Sequence, residues 1–130
     1  MPRRRLRLAL LPVAVLTGIG GACGRGDDPI PGRADATGRF GAVHTEVCRA
    51  ASLAGAGSVA AARAAFDDVH VGLHDLAAAA GEADRAVAAR LLEAKQRVEA
   101  DLDADSLTAL TPPVAAAVEA TGGTAPAACP

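Results

Sequence analysis

Alanine occupies 34 of the 130 positions, and among the alanines larger aliphatic residues return every three or four places. That pattern narrows the fold more than any other feature. Alanine has the highest intrinsic helix propensity, and a three-to-four-residue apolar period is the mark of an amphipathic helix. No stretch alternates apolar and polar residues as a half-buried strand would. Alanine also buries little area, so about 90 residues of such helix make one domain with a thin core.

Four helical segments follow from this periodicity. The first spans residues 39–53, with Phe40, Val43 and Val47 on its apolar face, Thr37 as its cap and Gly55 and Gly57 ending it. The second spans residues 59–80, with Ser58 as cap, Phe66, Val69, Leu73 and Leu76 on its stripe and Gly81 as its stop. The third spans residues 82–102, with Val87, Leu91, Ala94, Val98 and Leu102 facing inward. Its outer face carries Arg85, Arg90, Glu93, Gln96 and Glu99, read as a solvated surface. The last segment is broken: Asp105 or Ser106 caps a turn through Leu107 and Leu110, and Pro112-Pro113 opens a separate short helix to Ala120. Short links between consecutive amphipathic helices make them antiparallel neighbours. The expected fold is all-α, a small antiparallel four-helix bundle, with three helices and an irregular C-terminal wrap as the alternative.

The chain divides into a signal peptide (1–22), a cysteine and flexible tether (23–38) and the bundle (39–130). Arg3, Arg4, Arg5 and Arg7 precede an apolar run over residues 8–16, interrupted by Pro12, and small residues lead to Cys23. A positive start, a short apolar run and a small-residue cleavage site are the three parts of a secretory signal. The run is shorter than the ~20 apolar residues of a spanning helix, which disfavours an uncleaved anchor. Arg7 stands where a twin-arginine signal has a large apolar residue, which favours the general secretory route. Residues 24–38 are rich in Gly, Asp, Arg and Pro and have no apolar periodicity, the composition of a flexible tether.

Gly20-Gly21-Ala22-Cys23 resembles a bacterial lipobox, whose cysteine becomes the lipid-modified first residue of the mature protein. Gly20 departs from that pattern, where a larger aliphatic residue is usual, so cleavage after Ala22 with release as a secreted protein is the alternative. With this signal, tether and alanine content, the chain is similar to small lipoproteins of high-G+C Gram-positive bacteria. The resemblance implies a location outside the cytoplasm, anchored to the outer face of the cell membrane through the lipid on Cys23.

Cysteine parity agrees. The chain has three cysteines, Cys23, Cys48 and Cys129. Lipid on Cys23 leaves two, which in an oxidising compartment pair as a disulfide. Closing a loop of about 80 residues stabilises by ~4–5 kcal/mol in the chain-entropy account. A catalytic nucleophile or a metal ligand is the competing reading of Cys48, with His44 one turn away to form a Cys-His pair.

Charge excludes one class of partner. Removing residues 1–22 removes four arginines and leaves 9 basic against 15 acidic residues, a net charge of −6. Only two aromatics, Phe40 and Phe66, are present. Without a basic surface or a stacking platform, nucleic acid is not an expected partner.

The remaining chemistry lies in three histidines. His70 and His74 are four apart and share a helix face with Asp67; the three fall within about 60° of arc. His44 flanks the stripe of the first helix. Should those flanks meet, Asp67, His44, His70 and His74 would suit Zn²⁺, Cu²⁺ or Ni²⁺. Against this, an i,i+4 histidine pair bordering a core arises readily, no H-E-x-x-H pattern is present, and no Glu-x-x-His pairs of a di-metal bundle occur. Asp101, Asp103 and Asp105 alternate as in part of a calcium loop but lack its glycine and terminal glutamate. No catalytic constellation is legible. The expected function is therefore a lipid-anchored helical module, not an enzyme and without a cofactor, that binds an envelope protein partner. A transition-metal protein using His70 and His74 is the alternative.

Overall fold

The computed structural model describes residues 38–130; the signal, Cys23 and the tether through Thr37 lie outside the described residues. Four helices follow in order, α1 (Gly41–Gly55), α2 (Val59–Ala83), α3 (Arg85–Ala100) and α4 (Ala104–Ala120), with no strand among the described residues. Their links span residues 56–58, residue 84 and residues 101–103, too short for anything but antiparallel neighbours. Both α1 and α3 pack on α2 and α4; α2 and α4 also meet across the middle, while α1 and α3 do not touch. The fourth helix is a full packing partner, which makes the fold a four-helix bundle.

The helix ends show why the chain turns where it does. Gly57 follows α1 at φ +80°; Gly57 N–H donates to the Ala54 carbonyl and Ser58 N–H to that of Leu53, a Schellman stop. The same pattern closes α4, with Gly122 at φ +86° and Gly123 N–H donating to the Val118 carbonyl. Beyond it, the backbone of Gly123 crosses that of Gly38 so closely that a Cβ on Gly38 would lie 2.7 Å from Gly123 Cα. Ser58 holds the cap position of α2, but its side chain makes no capping bond.

Beside shifts of two residues at the ends of α1 and at the end of α3, two larger differences from the sequence expectation stand out. Gly81 does not end its helix: α2 runs on to Ala83, and the break falls at Asp84. The Asp84 carboxylate accepts from Ala86 N–H at 2.8 Å and Val87 N–H at 3.1 Å. A side chain that satisfies two orphan amides of the next helix fixes its start more firmly than a glycine can mark the end of the previous one.

The second difference is α4, one continuous helix through Pro112 and Pro113. Its cap is Asp103, which accepts from Ser106 N–H while Ser106 Oγ accepts from Asp103 N–H, a reciprocal capping box. Those bonds hold the Asp103 carboxyl below its ordinary pKa. The prolines cannot donate to the Thr108 and Ala109 carbonyls, but both residues are exposed to water. Leu107, Leu110, Val114 and Val118 are completely buried from one helix face. At roughly 1.5–3 kcal/mol each, their burial together matches or outweighs the ~3 kcal/mol that each of the two interior prolines costs.

The core is thin. Leu73, Leu76, Leu91, Leu107 and Leu110 fill its centre with Val47, Val98, Val114 and Val118, and fully buried alanines such as Ala50, Ala62, Ala80 and Ala117 occupy the seams between helices. At Gly72 the approach of α1 is close enough that a Cβ would meet Val43 Cγ2 at 3.0 Å. The Cys48 and Cys129 sulfurs stand at bonding distance, with Cα atoms 5.4 Å apart, joining the C-terminal tail to α1 across 81 residues.

A Cβ on Gly81 would meet only the Ala88 methyl, at 3.5 Å, an ordinary contact, and its φ is not in the left-handed region. Gly81→Ala is therefore expected to stabilise the domain by about 0.5–1 kcal/mol, read as a raised midpoint in urea unfolding with unchanged slope.

Candidate functional site

The polar chemistry of the bundle gathers in two places, the seam between α2 and α3 and the junction of α1 with the C-terminal tail. At the first, Lys95 follows Leu91 by four residues and so lies on the buried face of α3, where it is only 3% exposed. An ammonium there requires a partner. Its Nζ donates to Glu99 Oε1 at 2.5 Å, one turn further along α3. The same Oε1 lies 3.4 Å from His70 Nδ1, on α2. The His70 ring in turn stands edge-on to Phe66, with centroids 6.2 Å apart, and beside His74, at 4.9 Å.

The Glu99 carboxyl is held below its ordinary value of 4.5, first by the hydrogen bond from Lys95, then by the Lys95 charge, with His70 and His74 adding to it; partial burial opposes the shift. One carboxylate thus satisfies a buried cation and faces an imidazole across the helix seam. The contact joins α2 to α3 fully only when His70 is protonated.

At the second place, His44 is buried on α1 and both its ring nitrogens lie 3.9 Å from Cys48 Sγ. Thr111 Oγ1, on α4, lies 3.5 Å from Cys129 Sγ. A cleft of about 700 Å³ opens beside the disulfide, lined by Arg49 and Ser52 from α1, Thr108 and Pro112 from α4 and both cysteines. Arg49 there is paired with Glu46 at 2.8 Å.

Among the expected site residues, the structure pairs Cys48 with Cys129 and brings His70 beside His74, but it keeps His44 apart from both. His70 meets Glu99 of α3, whereas His44 faces the tail, in a cavity with Thr124, Ala125 and Pro126. Asp67 is exposed one turn before His70. Among the described residues, no group of three or more His, Cys, Asp or Glu side chains is placed to hold a metal ion. Glu99 and Lys95 were not among the expected site residues. The signal that would have found them is the position of the only lysine in the sequence within the apolar stripe, four residues before a glutamate.

The chain matches no family model, no curated protein and no solved structure.

Because the folded-state pKa of Glu99 is lowered, its stabilising contribution is present above the ordinary carboxylate range and is lost as pH falls through that range and below it. Glu99→Gln is expected to cost about 1 kcal/mol at pH 7, the worth of a charge-assisted hydrogen bond discounted for a partly solvated carboxylate. It should also flatten the fall in stability between about pH 5 and pH 3. Lys95→Met, which removes the buried charge itself, should cost less than Glu99→Gln. Urea unfolding of the three proteins across that pH range checks both statements.

Proposed function

We propose that this protein is a lipid-anchored helical module outside the cytoplasm, held to the outer face of the cell membrane through Cys23 and acting by binding an envelope protein partner rather than by catalysis. The observation that carries the reading is the bonding distance between Cys48 and Cys129, because it leaves Cys23 alone of the three cysteines to take a lipid. A disulfide in a small domain also fits an oxidising compartment, the destination of a chain that starts with a secretory signal. Among the described residues no helix is long and apolar enough to cross a membrane. For the binding role, support comes from the outer face of α2. Val71 is 68% exposed there, and the exposed Asp67, Asp68 and Asp75 stand one turn to either side of it. An apolar residue ringed by carboxylates suits a partner with basic and apolar groups.

Metabolic labelling with an alkyne fatty acid in a bacterial host that processes lipoproteins tests the anchor. The wild-type chain should incorporate label and partition with membranes, and Cys23→Ala should lose both. Unlabelled protein in the medium would instead mean cleavage after Ala22 and secretion.

The 4.9 Å approach of the His70 and His74 rings supports a second reading, a transition-metal site for Zn²⁺, Cu²⁺ or Ni²⁺. Lys95 on Glu99 weighs against it, since it occupies the carboxylate nearest to the pair. In calorimetric titration with Zn²⁺ and Cu²⁺, this reading expects stoichiometric binding that His70→Ala/His74→Ala abolishes; weak binding unchanged in the variant would retire it.

A further inference from the structure

The two sulfurs of the disulfide stand in unlike surroundings. Cys129 is exposed, in a tail that has left the last helix, and borders the cleft beside α4. Cys48 is 9% exposed, on α1, with the imidazole of His44 against its sulfur. Buried structural disulfides are shielded from thiols on both sides. Here the cleft reaches both cysteines, Cys129 is the exposed one of the two, and Cys48 has a hydrogen-bonding side chain beside it.

We propose that Cys48–Cys129 is a thiol-exchange site, a latch opened by a thiol reductant. The thiolate of the reductant attacks Sγ of Cys129, a new sulfur–sulfur bond forms there, and the Cys48–Cys129 bond breaks with its electron pair going to Cys48. His44 is the group that receives this leaving thiolate, donating a hydrogen bond to it from a ring nitrogen. Exchange is faster when the departing thiol has a lowered pKa, and a hydrogen bond donated to the thiolate lowers it. A second thiol of the reductant then attacks its own sulfur in the mixed disulfide and releases Cys129 as thiolate, with the Thr111 hydroxyl in place to donate to it. The reductant leaves oxidised to a disulfide, and the protein holds two thiols.

The fold gives the cleavage a consequence. Residues 124–130 follow the glycine stop of α4 and are joined to α1 by this one covalent bond. Opening it removes the covalent tie on the exposed end of the tail, whose Pro126 and Pro130 help to line the His44 cavity, while Ala125 stays packed on the core. A reductant thereby leaves a free cysteine beside His44, one turn apart on α1. This inference rests on the disulfide and its neighbours alone and stands whether or not Cys23 carries lipid.

The purified full chain, in native buffer, is exposed to reduced glutathione for a set time, excess iodoacetamide is then added to quench the glutathione and alkylate the freed thiols, and the adducts are located by peptide mass spectrometry. The expected result is glutathione on Cys129 and the alkyl group on Cys48, without denaturant. Glutathione on Cys48, or a disulfide that reacts only once the domain is unfolded, would overturn the proposal. His44→Gln is compared for the rate of that first step, with helix content followed by circular dichroism. A fall of about tenfold at unchanged helicity is the result expected for a group that stabilises the leaving thiolate. An unchanged rate would remove His44 from the mechanism. As a second readout, the alkylation rate of Cys48 in Cys129→Ser should fall in parallel when His44 is replaced; if it does not, the thiolate is not stabilised by His44.

Discussion

The bond between Cys48 and Cys129 falls on the helix with the least apolar packing of its own. α4 places four large side chains completely out of solvent, and α2 and α3 place two each, but α1 places only Val47, with Phe40 and Val43 nearer its start. Most of the remaining α1 interface is alanine, and a methyl group contributes about 0.8 kcal/mol on burial where a leucine contributes roughly 1.5–3. Cys48 comes one residue after Val47. The crosslink therefore acts where apolar packing is weakest, and in the chain-entropy account a loop of this length contributes ~4–5 kcal/mol, comparable with the entire stability of many small domains. The tie also fixes Cys129, and with it the end of the tail, beside the cleft along α4 and the cavity of His44.

Alanine explains both the thin core and the shape of the seams. Fully buried Ala50, Ala62, Ala80 and Ala117, together with Gly72, let helix backbones approach closely. Close approach leaves little room for long side chains between helices. It is therefore informative that Lys95 sits on a buried face. Its charge must be answered within reach of its stem, and Glu99, one turn along the same helix, does so while also reaching His70. A helix-to-helix polar contact arises here from an intrahelical ion pair.

How much of this was legible in the sequence depends on whether the cause was local. The stripes of α1, α2 and α3 are periodic and local, and so is the glycine stop at Gly57; each reads directly from residue order. The pairing of Cys48 with Cys129 follows from parity once Cys23 is set aside for a lipid, and the geometry shows it without that step. Gly81 misled because a glycine inside a helix and a glycine ending one look alike, and the deciding residue was Asp84, whose carboxylate caps the helix that follows. The two prolines misled for a different reason. Their local cost is real, but Leu107, Leu110, Val114 and Val118 lie on one face only if the helix continues through them, and that gain is tertiary. Glu99 is exposed, as its place on the outer face of the third helix predicts. What the period alone does not show is that the buried Lys95 draws its carboxylate to the seam with α2.

The three histidines show how far composition and spacing can go toward chemistry. In the sequence they form one candidate set. In the fold they divide according to what each neighbouring element presents: α3 offers His70 a carboxylate, and the tail together with Cys48 offers His44 a sulfur. A carboxylate makes an imidazole a charge partner whose contribution depends on its proton. A sulfur in a disulfide gives an imidazole nothing to pair with until the bond breaks and a thiolate appears. The same side chain is thus an interaction of the folded ground state at one end of the comparison and a latent one at the other, and the difference lies entirely in topology, in which helix each histidine faces.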